Sequence, residues 1–222
     1  MQRESIWMLA ATFLLCVSSP AAHSAEPAGA TLPAHKYVGV AKCKSCHKKD
    51  LIGDQYGEWE DGDHAKAYEA LDSHKARKIA EDKGLTTAPQ ETDECLECHV
   101  TGHGLPAAAF DKKPIPVKEG VSCESCHGPG KDYRKKKIMS DHDQAIAKGL
   151  WEPGEDEKIC TACHNDRSPT WDPKDGFDYA KMKEKIEHPI PEDVKGKYLE
   201  VVKQRKAEGK GGDDEEEDED DE

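Results

Sequence analysis

Apolar material is what this chain has least of. Of its 222 residues 35% are hydrophobic and 6% aromatic, against 35% charged, and the mean hydropathy is -0.89. A polypeptide of that composition struggles to offset its ordering entropy by packing side chains on one another. Cysteine outside one repeated pattern is lacking too. Cys16 lies in the N-terminal segment and the other eight all fall in four copies of one pentapeptide, so none remains for a structural disulfide. There is no Ser-His-Asp arrangement, phosphate loop or nucleotide motif to indicate a hydrolase or nucleotide enzyme. Basic charge is in deficit, with 32 Lys and Arg against 46 Asp and Glu. That balance does not suit a nucleic-acid partner.

The pentapeptides are Cys43-Lys44-Ser45-Cys46-His47, Cys95-Leu96-Glu97-Cys98-His99, Cys123-Glu124-Ser125-Cys126-His127 and Cys160-Thr161-Ala162-Cys163-His164. Each reads as a c-type haem attachment site. Two thiols one helical turn apart can add to the two vinyl groups of one porphyrin, and the adjacent imidazole reaches the iron as proximal ligand. The rival reading is a zinc ribbon or a thiol redox pair, since paired Cys-x-x-Cys units serve there without a following histidine. Here all four are followed by one. With 11 His in 222 residues, four such coincidences arise by chance roughly once in a hundred thousand sequences. The expected cofactor is therefore haem c, four covalently bound copies. Four large apolar planes supply the core that the side chains lack.

Arg3, an apolar run from Ile6 to Val17 and small residues around Ala21 to Ala25 read as a secretory signal peptide over 1–25, too short in its apolar core to span a bilayer comfortably. Periplasmic localisation follows, with no stable membrane span after its removal. Leu15 before Cys16 is not the small residue that a lipoprotein site wants. Residues 26–36 form a Pro/Ala-rich flexible leader, 37–209 a tetrahaem cytochrome domain and 210–222 a disordered acidic tail. The tail ends in ten consecutive acidic residues, Asp213 to Glu222, which account for most of the net charge of -14. Its alternatives are solubility or steering toward a basic redox partner. Lys131 and Arg134 to Lys137 make the dense basic patch, either a solvated face or a docking site.

The fold class expected is mainly α, short helices and loops wrapped around four haems with little sheet. The motifs come 52, 28 and 37 residues apart, which argues against a recent tandem repeat. Helices are predicted at 44–60, 64–83, 137–149, 176–187 and 194–208, with loops at 102–106, 113–120 and 128–130. In the second helix His64, Tyr68 and Leu71 share one face and point His64 inward.

Beyond proximal His47, His99, His127 and His164, six histidines (His35, His64, His74, His103, His142 and His188) could fill four distal positions. Met139 and Met182 are further possible ligands. A second histidine makes a carrier, and an open position makes a potential active site.

The stretch Val121 to Gly130, with Cys98-His99-Val100-Thr101-Gly102, Asp63-His64-Ala65-Lys66-Ala67 and Ser168-Pro169-Thr170-Trp171, resembles the tetrahaem cytochrome c-554 family. The resemblance runs from about Tyr37 to His188. It implies a mainly helical fold around four packed haems, three with two histidine ligands and the second five-coordinate. It also implies a donor of the hydroxylamine oxidoreductase type. Carried over by position, His64 completes the haem of His164, His188 that of His127 and His142 that of His47, leaving the haem of His99 open. The interval from His127 to His142 is a few residues longer than the family's. His103 stands where the family tends to have Phe, and reads as a pocket or propionate contact. His35 is the alternative eighth ligand, and His74 a surface residue.

The reading is an exported tetrahaem c-type cytochrome that passes electrons between periplasmic redox proteins. The alternative is a reductase of a small nitrogen oxide such as nitric oxide at an open haem on His99, with His103 nearby. Protein produced without haem is expected to be largely unfolded, and a calorimetric scan showing a cooperative, native-like melt of such protein would contradict that.

Overall fold

A computed structural model describes residues 33–195 except 155, 173 and 175, together with 200, 204 and 207. The segments read as signal peptide and acidic tail, most of the leader and most of the helix expected over 194–208 lie outside them. The described chain is helical, and its sheet is reduced to one isolated bridge, Tyr37 with Phe110.

The helices are short because capping side chains and glycines stop them. Where one helix is predicted over 44–60, α1 (Ala41–His47) and α2 (Gln55–Asp61) form instead, separated by a 3-10 turn at Asp50–Ile52, Gly53 at φ 100° and Asp54 at φ 42°. Asp54 then caps α2 by accepting from the Gly57 N–H at 3.0 Å. The stretch 64–83 likewise divides into α3 (Ala67–Ala70) and α4 (His74–Asp82) at Ser73, whose hydroxyl accepts from the Ala76 N–H. Helix α5 (Asp93–His99) carries the second motif and α6 (Cys123–His127) the third. The stretch 137–149 becomes α7 (Lys136–Met139) and α8 (His142–Ala147), with Asp141 as the cap between them. Helix α9 (Lys158–Thr161) opens the fourth motif and α10 (Tyr179–Ile186), capped by Asp178, leads to His188.

Side-chain cores are correspondingly small. Leu71, Leu96 and Val100 pack together with Tyr68 and Cys95 against them, and Ala109, Phe110 and Ile115 with Tyr37 and Leu105. The first cluster joins α5 to the segment after His64, so Tyr68 and Leu71 do face inward. His64 itself stands in the turn before α3 and not within a helix.

The segment 120–122 ties this region together. Val121 donates its N–H to the His64 carbonyl at 2.9 Å and accepts from the Trp59 indole at 2.9 Å. Thr101 N donates to the Gly120 carbonyl at 2.9 Å, and the Thr101 hydroxyl accepts from the Ser122 N–H at 2.7 Å. Gly120 has φ +59°, and a Cβ there sits 2.7 Å from both the His64 and Ala65 carbonyl oxygens. Gly84, at φ +69° with nothing within 4 Å of such a Cβ, isolates the backbone effect. In denaturant unfolding of the haem-loaded chain, Gly84→Ala is expected to cost about 1 kcal/mol. Gly120→Ala, which adds the clash, should cost up to about 3 kcal/mol.

Candidate haem-binding site

Three of the four pentapeptides end their helices at the histidine: His47 closes α1, His99 closes α5 and His127 closes α6. In the fourth, α9 ends at Thr161 and a turn follows, with Cys163 and His164 both donating to the Cys160 carbonyl at 3.2 and 2.9 Å. One helical turn thus sets each pair of cysteines, and the chain leaves the helix as the imidazole is presented. All eight thiols are free.

The ring nitrogens are oriented by backbone or amide oxygens. A carbonyl can only accept, so His99 Nδ1, 2.6 Å from the Ala67 carbonyl, donates, and His188 Nδ1 does the same to Ile186 at 2.8 Å. His47 Nδ1 lies 3.3 Å from Gln55 Oε1. Fixing the proton on Nδ1 leaves the Nε2 lone pair for a metal, the usual outer-shell arrangement of ligating histidines. His164 stacks on Phe177 with ring centroids 5.1 Å apart.

Two pairs of imidazoles face each other. The His64 and His164 centroids are 6.1 Å apart and those of His127 and His188 are 6.0 Å apart. Taking about 2 Å for an iron–nitrogen bond and about 1.1 Å from ring nitrogen to centroid, two imidazoles on one iron stand about 6 Å apart. Burial lowers the pKa of His64 and His164, and brings His127 down to about 4, with repulsion from His188 and His47 added and a hydrogen bond to the Trp151 backbone opposing. Neutral imidazole is the form that binds iron. Around the second pair, Trp151 at 43% exposure, Ile186 at 45% and Ile190 at 39% offer apolar faces to a flat ligand. The thiols, neutral rings, spacing and apolar surround fit a haem.

The four motifs adjoin one another through their cysteines. The Cys43 thiol is raised chiefly by its hydrogen bond to Cys123, which is lowered by the same bond. Burial and Cys98 push Cys163 up to about 12, and burial with Cys160 and Cys123 nearby pushes Cys126 up to about 11. In a haem-loaded chain these sulfurs are thioethers and no longer titrate, but the adjacency stands: first motif against third, second against fourth, third against fourth.

The remaining histidines are placed differently. His142 turns Nε2 to Glu152 at 2.9 Å with two thirds of its side chain exposed, so ligation of the His47 haem requires that pair to open. His103 meets Asp93 at 2.9 Å and His35 meets Asp132 at 2.6 Å. His74 begins α4 at the surface. In the basic patch Lys131 is paired with Asp111 at 2.8 Å, while Lys135, Lys136 and Lys137 are exposed.

Sequence reasoning passed over Glu124. It lies inside the third motif, is fully buried, and accepts from the N–H groups of Val38 at 3.0 Å, Gly39 at 2.8 Å and Gly130 at 2.7 Å. No residue pattern signals it, since Glu97 in the second pentapeptide is exposed.

The family model described as "Cytochrome c554 and c-prime" matches residues 42–128. Cytochrome c-554 of Nitrosomonas europaea is 34% identical over 139 residues, 58% of this chain, and the match spans 57% of that relative's length. A solved structure of reduced cytochrome c554 from Nitrosomonas europaea superposes with a TM-score of 0.52 at 25% identity, covering 75% of this chain and 97% of that one. The chain is similar to the c554 cytochromes over part of its length. Its helical, nearly sheet-free architecture is that of a multihaem cytochrome. The Phe177 ring supports His164 of the fourth pentapeptide. Phe177→Ala should therefore lower the stability of the haem-loaded protein by about 1 kcal/mol in a denaturant titration, beyond the area lost.

Proposed function

We propose that the chain binds four haems c and serves as an exported, periplasmic one-electron carrier between redox proteins. The observation that carries this reading is the pairwise adjacency of the four motifs, Cys43 to Cys123, Cys126 to Cys160 and Cys163 to Cys98. Groups attached to sulfurs that are hydrogen-bonded (first with third, second with fourth) or near neighbours (third with fourth) lie close enough for electrons to pass between them, in the order first, third, fourth, second. A bound haem supplies the redox couple. The protein supplies thioether anchors, axial imidazoles, spacing and the exclusion of water. Likeness to the c554 cytochromes supports the same reading.

In this proposal Cys43, Cys46, Cys95, Cys98, Cys123, Cys126, Cys160 and Cys163 hold the porphyrins and His47, His99, His127 and His164 are proximal. His64 and His188 are the distal ligands of the fourth and third haems, supported by the 6.1 and 6.0 Å ring separations. Paired imidazoles without methionine give low to intermediate potentials. No helix among the described residues is long and apolar enough to cross a membrane. The signal peptide, read from sequence, places the carrier outside the inner membrane, and the partners are donor and acceptor redox proteins. The exposed Lys135 to Lys137 face suits an acidic partner, and the acidic tail a basic one.

A second reading, reduction of nitric oxide at the His99 haem, is favoured by the His103–Asp93 pair four residues beyond that proximal ligand, a ready proton source. Electron paramagnetic resonance of the oxidised, haem-loaded chain separates the two. A high-spin signal from about one iron in four that vanishes with nitric oxide is the outcome for the reductase, and only low-spin signals indifferent to it are the outcome for a pure carrier. In the same measurement His64→Ala and His188→Ala should each convert one further low-spin iron to high-spin. Unchanged spectra would remove those two ligand assignments.

A further inference from the structure

Glu124 has no part in attachment or ligation, yet it is the most deeply buried side chain of its size in the described chain, with no exposed surface. Its Oε1 accepts from Val38 and Gly130, and its Oε2 from Val38 and Gly39. Both oxygens thus act as acceptors toward backbone N–H groups. Burial raises the Glu124 and Glu119 carboxyls above the usual range while their backbone N–H bonds oppose the rise, and because a neutral carboxyl must donate a proton that N–H groups cannot receive, this set of partners favours the carboxylate. Beside it Glu119, partly buried, accepts from the Val40 N–H at 2.9 Å. The four backbone donors come from the stretch leading into α1 and from the loop after α6. The two carboxylates therefore sit where the first and third motifs meet.

That position has an electrostatic side. Glu124 and Glu119 each act on both Cys43 and Cys123, the two sulfurs in contact at this junction. At the second and fourth motifs the charges acting on the cysteines are exposed ones of both signs, Glu94, Asp156 and Glu157 with the Arg167 cation, which bonds Glu97 at 3.1 Å. A negative charge in a poorly solvated interior favours the ferric over the ferrous state of a nearby iron, and the effect grows as water is excluded.

We propose that Glu124 and Glu119 are positioning residues of the redox couples: their charges hold the haems at the first and third motifs at lower potentials than the thioethers and imidazoles alone would set. This rests on the tetrahaem reading above. It assigns to the carboxylate inside the third pentapeptide a part beyond its structural one of tying residues 38–39 and 130 to α6. The haems at the second and fourth motifs lie outside its effect.

The test uses the full, haem-loaded chain as wild type and as Glu124→Gln, Glu124→Asp and Glu119→Gln. Haem content by pyridine haemochrome comes first, then an optically monitored redox titration resolving the four one-electron couples. In Glu124→Gln two couples should rise, each by about a tenfold change in the reduced-to-oxidised ratio at fixed potential, which is about 59 mV. The other two should stay. Glu124→Asp, which keeps the charge, should restore the wild-type values, whereas a purely structural role predicts that Asp fails as Gln does. Where Glu124→Gln does not load haem, Glu119→Gln carries the test, with a smaller rise of the same two couples. Four haems with unmoved couples, or with all four moving together, overturn the inference alone. A wild-type chain lacking haem at the first and third motifs overturns the proposed function and the inference with it.

Discussion

The hydrogen bonds of residues 120–122 are the constraint on which the rest depends. One three-residue stretch receives Trp59 from α2, the backbone of His64, and Thr101 from just beyond the second motif, and it leads directly into Cys123. Side-chain cores here are too small to fix the relative positions of four helical turns. Backbone-directed bonds do so instead. Their geometry is specific where apolar packing is not, and each satisfies a polar group that the interior otherwise leaves unpaired. The close approach at Gly120 follows from this: a Cβ has no room where three strands of chain converge.

Charge is handled in a similar way. Burial lowers the pKa of His64, His127 and His164, three of the four imidazoles in the two close pairs. The buried carboxylate at position 124 is balanced by peptide dipoles and not by a lysine or arginine. Strong charges are left to the exposed faces, Lys135 to Lys137 among them. Such an arrangement fits the one-electron carrier proposed above, because few buried ions would have to rearrange with each change.

The helical turns that carry the four pentapeptides were legible in the sequence because each pattern is written in consecutive residues. Cys-x-x-Cys-His needs only one helical turn, so its meaning does not depend on tertiary structure. The inward face of Tyr68 and Leu71 was legible from their spacing, and the core around Leu96 bears it out, whereas His64 stands in the turn before that helix and not on the expected helical face. Helix lengths were not. Periodicity runs on through 44–60, 64–83 and 137–149, but Asp54, Ser73 and Asp141 each offer a side-chain oxygen to a new helix start and break the run. His142 shows a second limit: position in the chain suggested a ligand, whereas a carboxylate ten residues on, Glu152, claims its Nε2. Glu124 was illegible for a third reason. Its partners, Val38 and Gly39, are more than eighty residues away and contribute only their backbones, which no residue pattern records.

The two facing histidine pairs also bear on chain topology. His64 and His164 are 100 positions apart and His127 and His188 are 61 apart, and the two intervals overlap between 127 and 164. An iron held by both rings of a pair acts as a cross-link between distant stretches of chain. For a loop of about 100 residues, a fixed link removes about 4.7 kcal/mol of unfolded-state entropy. Unlike a disulfide, such a link can be opened by losing one ring while the porphyrin stays on its cysteines. Under the proposed ligation the chain would be unstapled and restapled at two interlocking points with every cysteine link intact.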